Sequence, residues 1–501
     1  MKRVLAPLLG LVAAAHAWTF LGAGPIDDAY ILFRYSAMAA AGEGFVFNPG
    51  QLVEGFSSPL WTVLLAVAAK LGLDLPGTAQ VIGLASSFAV AHGLARVGEL
   101  LNLRLGALAP AGLAAASPAI AFHAGNGLSS VFLAALLVTW LRLLLSAERR
   151  DRSSVPAALV LGLACLTRQE VLVFALPFVL RALARRQWLA GLLPYAIAAL
   201  WFAFRYATYG ELLPATHAAK RLPFLVDLGY GLAYLGRGTL ESGVGLMVVL
   251  ATVVAVTRTD GWRVVAGGFL LHCAVVVHVG GDFVPLGRFF VPVLPVGFAL
   301  GVLGTGELVG RIRAAAAGEG EARSSIGAIG AVVLTIVALQ WTQWMRPDLF
   351  GERSFFVDRW ERLGRYFGEH CEAGTKVALS PVGAFGYYSE LPIVDVLGIT
   401  SGEMADVEPD LDVVLKGHHR YNGPRVLAYE PDIVLLGNCV RMPGSGRLFI
   451  NPWERDLFLS EAFQRDYVHM LAPIPGDEDL DLWVRRGSPA LPGAAVAPSG
   501  Q

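Results

Sequence analysis

The sequence predicts an all-α polytopic membrane domain with about eleven transmembrane helices, followed by a small α/β domain outside the membrane. Three observations carry this. Of 501 residues, 55% are hydrophobic and only 16% charged, against roughly 25% charged in globular chains. Apolar runs long enough for a ~30 Å hydrocarbon core recur along the first two thirds of the chain. After Trp344 the composition becomes that of a soluble domain. A net charge of −1 gives no electrostatic case for nucleic acid.

Runs of spanning length lie near 4–23, 78–97, 105–121, 128–146, 188–206, 240–257, 262–279, 289–308 and 325–344, with shorter ones at 58–73, 155–166 and 170–184. The first, behind Lys2-Arg3 and ahead of Ala15-His16-Ala17, has the form of a signal peptide but is expected to stay as a first helix. Lys2-Arg3, Arg149-Arg150-Arg152, Arg185-Arg186, Arg258 with Arg263, and Arg311-Arg313 read as cytoplasmic. Alternation then places five polar islands on the opposite face: the stretch after Asp27, 125–130, 167–170, 209–220 and 280–288. The run at 58–73 is short and is expected not to cross fully. The expected division is a membrane domain over 1–344 with outer loops at 25–57 and 207–238, an outside α/β domain over 345–487, and a disordered tail over 488–501. In the α/β part, 376–380 and 433–437 read as buried strands, and 355–367 and 453–463 as helices.

The stretch from Asp27 to Trp61 stands apart. Asp27 and Asp28 sit where the first apolar run ends, and carboxylates near hydrocarbon cost several kcal/mol unless they face water, a partner or a substrate. The Gly, Pro and Asn residues from Gly42 to Gly50 argue for a turn-rich loop. Taken alone, two adjacent Asp residues read as a solvated boundary. Topology, however, brings Glu54, Arg168, Glu170, Lys220, Asp282 and Arg288 to the same boundary, which reads as one polar cavity. A carboxylate there can take a proton from a hydroxyl, and Arg or Lys can hold a phosphate whose charge grows as it leaves. Carboxylate and cations at the edge of hydrocarbon suit a donor with a lipid tail, a phosphate and a sugar.

The N-terminal stretch resembles the GT-C glycosyltransferases, membrane enzymes using polyprenyl-phosphate sugars, and within them the branch of mycobacterial terminal β-(1→2)-arabinofuranosyltransferases. The family pattern D-D-A-[YF]-x-x-x-R, then G-x-G-x-V-[FW]-N-x-G-x-x-V-E-[GA]-[FY]-[ST]-x-P-L-W, matches Asp27 to Trp61. Shorter matches are Leu166 to Glu170, Tyr209 to Lys220, Gly280-Gly281-Asp282 with Arg288-Phe289, and, in the soluble part, Gly386-Tyr387-Tyr388, Asp395 to Gly398, Gly417-His418-His419 and Pro431-Asp432. The resemblance implies a GT-C fold, with Asp27 as general base and Asp28 beside it orienting the acceptor. It implies Arg168, Lys220 and Arg288 on the donor phosphate, and Arg34, Glu54, Glu170, Thr216 and Asp282 on the sugar or acceptor. Metal dependence is left open, with Asp28 the candidate ligand of a divalent cation. The implied partners are a polyprenyl-phosphate sugar donor and a periplasmic glycan, lipid or protein acceptor. The implied location is a bacterial inner membrane, with site and C-terminal domain on the periplasmic side. Transfer is expected to invert the anomeric carbon.

The chain departs from the family at Ser129, Ala215 and Gln169, where Glu, Asn and Pro are usual. Two other readings stand beside the enzyme: a transporter or flippase of lipid-linked sugars, which would spread polar residues through the midplane of an internal repeat, and a catalytically degenerate glycan-binding relative. No CxxC or HExxH occurs; Cys165 and Cys273 read as core thiols, while Cys371 and Cys439 leave one disulfide open. His418-His419 reads as loop surface, and Trp341, Trp344 and Phe350 as an interfacial belt.

Overall fold

The structure, a computed structural model, describes residues 2–100, 106–315, 323–345, 352–402, 404, 406–439, 448–474 and 479–497. Among these, six helices are long and apolar enough to cross a bilayer: Val4–Ala23, Leu75–Gly98, Ser130–Arg149, Trp188–Tyr209, Gly261–His278 and Gly327–Trp344. Several expected spans take another form. The run at 240–257 is the second half of a pair, Phe224–Ser242 and Val244–Thr257, bent by 96° at Gly243, whose φ of 78° ends the first helix. The run at 105–121 breaks at Ser117, which caps Ile120 ahead of Pro118, leaving helices Ala109–Ala115 and Pro118–Gly125. Pro59–Lys70, with 12 residues, is about 18 Å long, well short of a hydrocarbon core.

The segment expected to be loop over 25–57 begins as a helix, Asp27–Ala41, stopped by Gly42 in the left-handed conformation (φ 95°). Eight consecutive residues, Ala29 to Ser36, are buried. It packs on Pro59–Lys70 and on Gly383–Ser389, so this helix is covered on several sides. Turns follow at Gly44 and Gly50, both with positive φ. The other expected loop, 207–238, contains helix Ala215–Lys220 and most of Phe224–Ser242.

The C-terminal region is built on a six-stranded sheet: β1 (Val377–Leu379), β2 (Ile393–Asp395), β3 (Ile433–Val434), β4 (Tyr467–Ala472), β5 (Leu480–Arg485) and β6 (Ala495–Val496). The order is β2-β1-β3-β5-β4-β6; β1 pairs parallel with β2 and β3, and the remaining pairs are antiparallel. Strands were expected at β1 and β3. The tail expected to be disordered supplies β6, with Met470 opposite Val496; residues 498–501 lie outside the described residues. The expected helix at 453–463 is interrupted at Ser460, which caps a second helix through Phe463 N–H at 3.2 Å. No disulfide joins the four cysteines.

One hydrophobic cluster unites the two parts. Tyr30, Phe33 and Tyr35 of the Asp27–Ala41 helix share a core with Trp360, Phe367, Val377, Phe385 and Leu482. The sheet region therefore rests on the helix that opens with the two carboxylates.

Candidate functional site

A cavity of about 280 Å³ lies where the sheet region meets the helices. Asp27, Asp28 and Ile31 form one wall, Lys220, Phe283 and Val284 another. Residues at and just past the ends of the parallel strands, Ser380 to Val382 after β1 and Asp395, Leu397 and Ile399 at the end of β2, form the third, and Leu415, Gly417, His418 and Trp453 close it. Clefts beyond the carboxyl ends of parallel strands are a common place for ligands.

The two adjacent carboxylates live in different surroundings. Asp27 accepts backbone N–H bonds from Gly383 at 3.0 Å and Ala384 at 2.8 Å. Burial pushes its pKa up to about 6, against those amides, with the neighbouring Asp28 charge adding to the rise. Asp28 accepts from Arg288 Nη1 at 2.9 Å. Burial would raise it too, but the Arg288 and Lys220 charges outweigh burial and hold it below the usual carboxylate range. Arg288 is a bridge, with its Nε on Asp282 and its Nη1 on Asp28. Asp282 also accepts from the Tyr234 hydroxyl at 3.2 Å, and that hydroxyl accepts the Phe289 N–H at 3.1 Å.

Lys220 is the cation left to a ligand. It makes no ion pair among the described residues, its stem lies along Gly417, and burial lowers its pKa while Asp28 supports its charge. His418 stands beside it, with its ring 4.5 Å from Trp453 and 5.7 Å from Phe283. Burial, then the Lys220 charge, push the His418 imidazole down to about 4, so it is neutral.

Five of the residues singled out from the sequence thus meet at or beside the cavity: Asp27, Asp28, Lys220, Arg288 and Asp282. Arg168 and Glu170 pair at 2.7 Å and stand one layer back. The Arg168 guanidinium carbon is 5.1 Å from the Phe289 ring, whose other guanidinium neighbour, Arg288, is at 5.4 Å. Three expectations are corrected. Arg34 is buried and gives its donors to Phe47 O (2.7 Å), Leu391 O (2.7 Å), Asn48 Oδ1 (3.2 Å) and Gly386 O, so it clamps loop and sheet region together and leaves nothing for sugar. Glu54 is buried against Arg205 and accepts the Trp201 indole N–H at 3.1 Å. Thr216 is half-buried on Ala215–Lys220 and does not line the cavity.

Sequence reasoning missed Arg205, Tyr234 and Trp453. It also read His418 as loop surface, whereas His418 lines the cavity. Arg205 had a signal, a lone guanidinium inside an apolar helix; the others had none apart from the fold. Ser129 is buried with its Oγ 3.1 Å from Ser58 Oγ, outside the cavity lining. Trp344 stacks on His16 at 4.3 Å, and Phe350 lies outside the described residues. The side chains around Asp28 do not fit a divalent cation: Arg288 occupies it, Lys220 shares its wall, and no group of three His, Cys, Asp or Glu side chains converges among the described residues.

Comparison with known proteins agrees with this architecture. Residues 352–481 match the model of a domain of unknown function, DUF8728. Terminal β-(1→2)-arabinofuranosyltransferases are similar in sequence: that of Mycobacterium tuberculosis is 31% identical over 219 residues (39% of this chain, 34% of the relative), and that of Corynebacterium glutamicum 28% identical over 310 residues (51% and 44%). The chain matches less than half of either relative's length. ArnT from Cupriavidus metallidurans, solved bound to undecaprenyl phosphate, superposes with a TM-score of 0.52 at 17% identity, covering 81% of this chain and 89% of its own. The fold is GT-C. The Archaeoglobus fulgidus oligosaccharyltransferase shares it, with a TM-score of 0.52 at 13% identity over 98% of this chain and 76% of its own.

Proposed function

We propose that this chain is a membrane glycosyltransferase that moves a sugar, an arabinofuranose or another pentose or hexose, from a polyprenyl-phosphate donor to a glycan, lipid or protein acceptor. The observation that carries the reading is the contrast between Asp27 and Asp28. One carboxylate is raised toward neutral pH and faces the cavity; its neighbour stays ionised and holds a guanidinium. Environments that separate the pKa values of adjacent acids divide their roles.

In this reading Asp27, ionised above about pH 6, accepts the proton of the acceptor hydroxyl. The acceptor oxygen bonds to the anomeric carbon as the bond from that carbon to the phosphate oxygen breaks, and the configuration inverts. The leaving phosphate takes up the charge beside Lys220 and Arg288, the latter held in place by Asp28 and Asp282. Arg168, supported by Glu170, adds positive potential from behind Phe289. The undecaprenyl phosphate named in the ArnT structure, which is the carrier such a donor leaves behind, and the sugar named in the curated relatives are the support for its chemical class.

The proposed placement is a bacterial inner membrane with cavity and sheet region on the periplasmic side, with Arg149, Arg150, Arg152, Arg185 and Arg186 lying inside. About eleven crossings result if 109–125, Leu294–Ala315 and the shorter helices Val155–Thr167, Val171–Ala184 and Val244–Thr257 each count as one beside the six long spans, and Pro59–Lys70 and Phe224–Ser242 as none. Ser129, the support for a degenerate relative, bonds Ser58 and does not line the cavity, so the exchange there leaves both carboxylates in place.

The test is Asp27→Asn in membranes supplied with a polyprenyl-phosphate sugar. Transfer is expected to fall about 10²–10⁴-fold while the protein still folds. Full activity would remove Asp27 from the role of base.

A further inference from the structure

The helix Phe224–Ser242 is apolar enough to pass for half of a span, yet its contacts place it elsewhere. Its partner, Val244–Thr257, packs along Gly261–His278 and Leu294–Ala315 and so runs with the spanning helices. The bend of 96° therefore turns Phe224–Ser242 across them.

Contacts spread along the helix fix its direction. Asp227 pairs with Lys416 and lies beside Gly280. Gly231 is pressed on the backbone of Val277, where an added Cβ would meet the carbonyl oxygen at 1.8 Å. Tyr234 bonds Asp282 and Phe289, and Arg237 Nη2 donates to the Asp282 carbonyl at 2.9 Å. From 227 to 237 the helix advances about 15 Å. Over that length its hydrogen bonds, ion pair and closest backbone approach to the bundle all fall on 277–289, from the last turn of Gly261–His278 onward, and its remaining helix contacts are with Val244–Thr257 and with the last span. A crossing helix would instead leave that level within a turn or two.

The opposite face is apolar and meets no partner among the described residues. Leu225, Leu232 and Leu240 are 76%, 55% and 66% exposed, with Gly229 and Gly236 on the same side and open space beyond both. Arg237 is exposed at the edge between the two faces and is held at the cavity level by the Asp282 carbonyl. An apolar stripe with a basic residue at one depth suits the boundary between headgroups and acyl chains, about 5–10 Å into the leaflet.

We propose that Phe224–Ser242 is an in-plane helix bedded in the outer lipid leaflet, its Leu225–Leu232–Leu240 stripe on acyl chains and its inner face holding the loop that carries Asp282 and Arg288. The lipid surface is then part of the support that fixes the height of the loop carrying Asp282 and Arg288. This rests on packing geometry and is independent of the transferase reading.

Nitroxide labels at Leu225→Cys, Leu232→Cys and Leu240→Cys test it, in the full chain with Cys371→Ser, reconstituted in phosphatidylcholine–phosphatidylglycerol vesicles. A label at Leu200→Cys, 73% exposed inside the Trp188–Tyr209 span, gives the deep reference. Relaxation by oxygen and by a water-soluble nickel chelate reports each depth. The expected result is three labels within about 5 Å of one depth, shallower than Leu200 and shielded from nickel. A difference approaching the ~22 Å that fifteen helical residues span would make the helix part of a crossing and overturn the proposal. Free access of nickel to all three labels would overturn it equally, by showing water where lipid is required. Unchanged elution of the labelled proteins in detergent establishes that each is folded.

Discussion

Asp27 and Asp28 are the same residue in adjacent positions, and nothing in the sequence around them separates their chemistry. What separates them is distant: the amides of Gly383 and Ala384, 356 and 357 residues on, and the guanidinium of Arg288, 260 residues on. The motif could therefore point to the pair, and the topology could bring cations near it, but the division of labour had to come from packing. A pH profile follows. Burial raises the Asp27 pKa to about 6, so its basic form is lost as pH falls through 6, while Asp28, shifted the other way, stays ionised. kcat/KM for transfer is expected to be level above pH 7 and to fall about tenfold per pH unit well below 6. A break near 4 instead would assign the base to an unperturbed carboxyl. Arg34 shows the opposite failure: a residue inside the same motif whose work is structural. Arg34→Ala would leave the carbonyls of Phe47, Gly386 and Leu391 buried without their donor, at a cost of about 3 kcal/mol or more. Thermal unfolding in detergent should show a clear drop, and Arg34→Lys should not restore it, because one ammonium cannot reproduce the planar fork.

Elements were legible where hydrophobic length decides, and illegible where a break or an enclosure decides. The long spans follow from composition, as do strands β1 and β3, whose residues are apolar throughout. The Asp27–Ala41 helix escaped notice because it is covered on several sides, so its apolar positions show no single stripe. The bend at Gly243 and the break at Ser117 fall inside continuous apolar runs and register only as a Gly and a Ser-Pro step. Close helix approach is equally silent in the sequence. Gly83 in Leu75–Gly98 lets the backbone of Pro118–Gly125 come so near that a Cβ would stand 1.9 Å from the Ala124 carbonyl oxygen. The atom in the way is backbone and cannot swing aside. Gly83→Ala is expected to lower stability by about 1–3 kcal/mol despite improving helix propensity, measured as a fall in the unfolding midpoint. A rise in the midpoint would mean that the two helices separate freely.

At the scale of the molecule, the sheet region and the bundle share both a core and a cavity, so neither part holds a complete site. The sheet region contributes the amides that fix Asp27 and the strap 415–418 that covers Lys220. Two kinds of attachment keep it there. The first is the hydrophobic cluster from Tyr30 to Leu482, spread over many residues of both parts. The second is polar and local: Lys416 on the strap pairs with buried Asp227, and Arg420 Nη2 donates to the Arg221 carbonyl at 3.0 Å. Because the first holds the sheet and the second holds only the strap, they can be separated by mutation. Lys416→Met keeps the length of the side chain but leaves Asp227 with the Leu222 N–H at 3.0 Å and no cation, and stranding one partner of a buried pair costs about 3–5 kcal/mol. That energy is released most cheaply by opening the strap, since the sheet's own contacts are untouched. Amide hydrogen exchange over 407–421 is expected to accelerate while exchange in β1 and β3 stays unchanged. Donor KM should rise about tenfold with kcat nearly kept, because Asp27 remains fixed by Gly383 and Ala384. Unchanged exchange in the strap would show that the ion pair is not what holds it over Lys220.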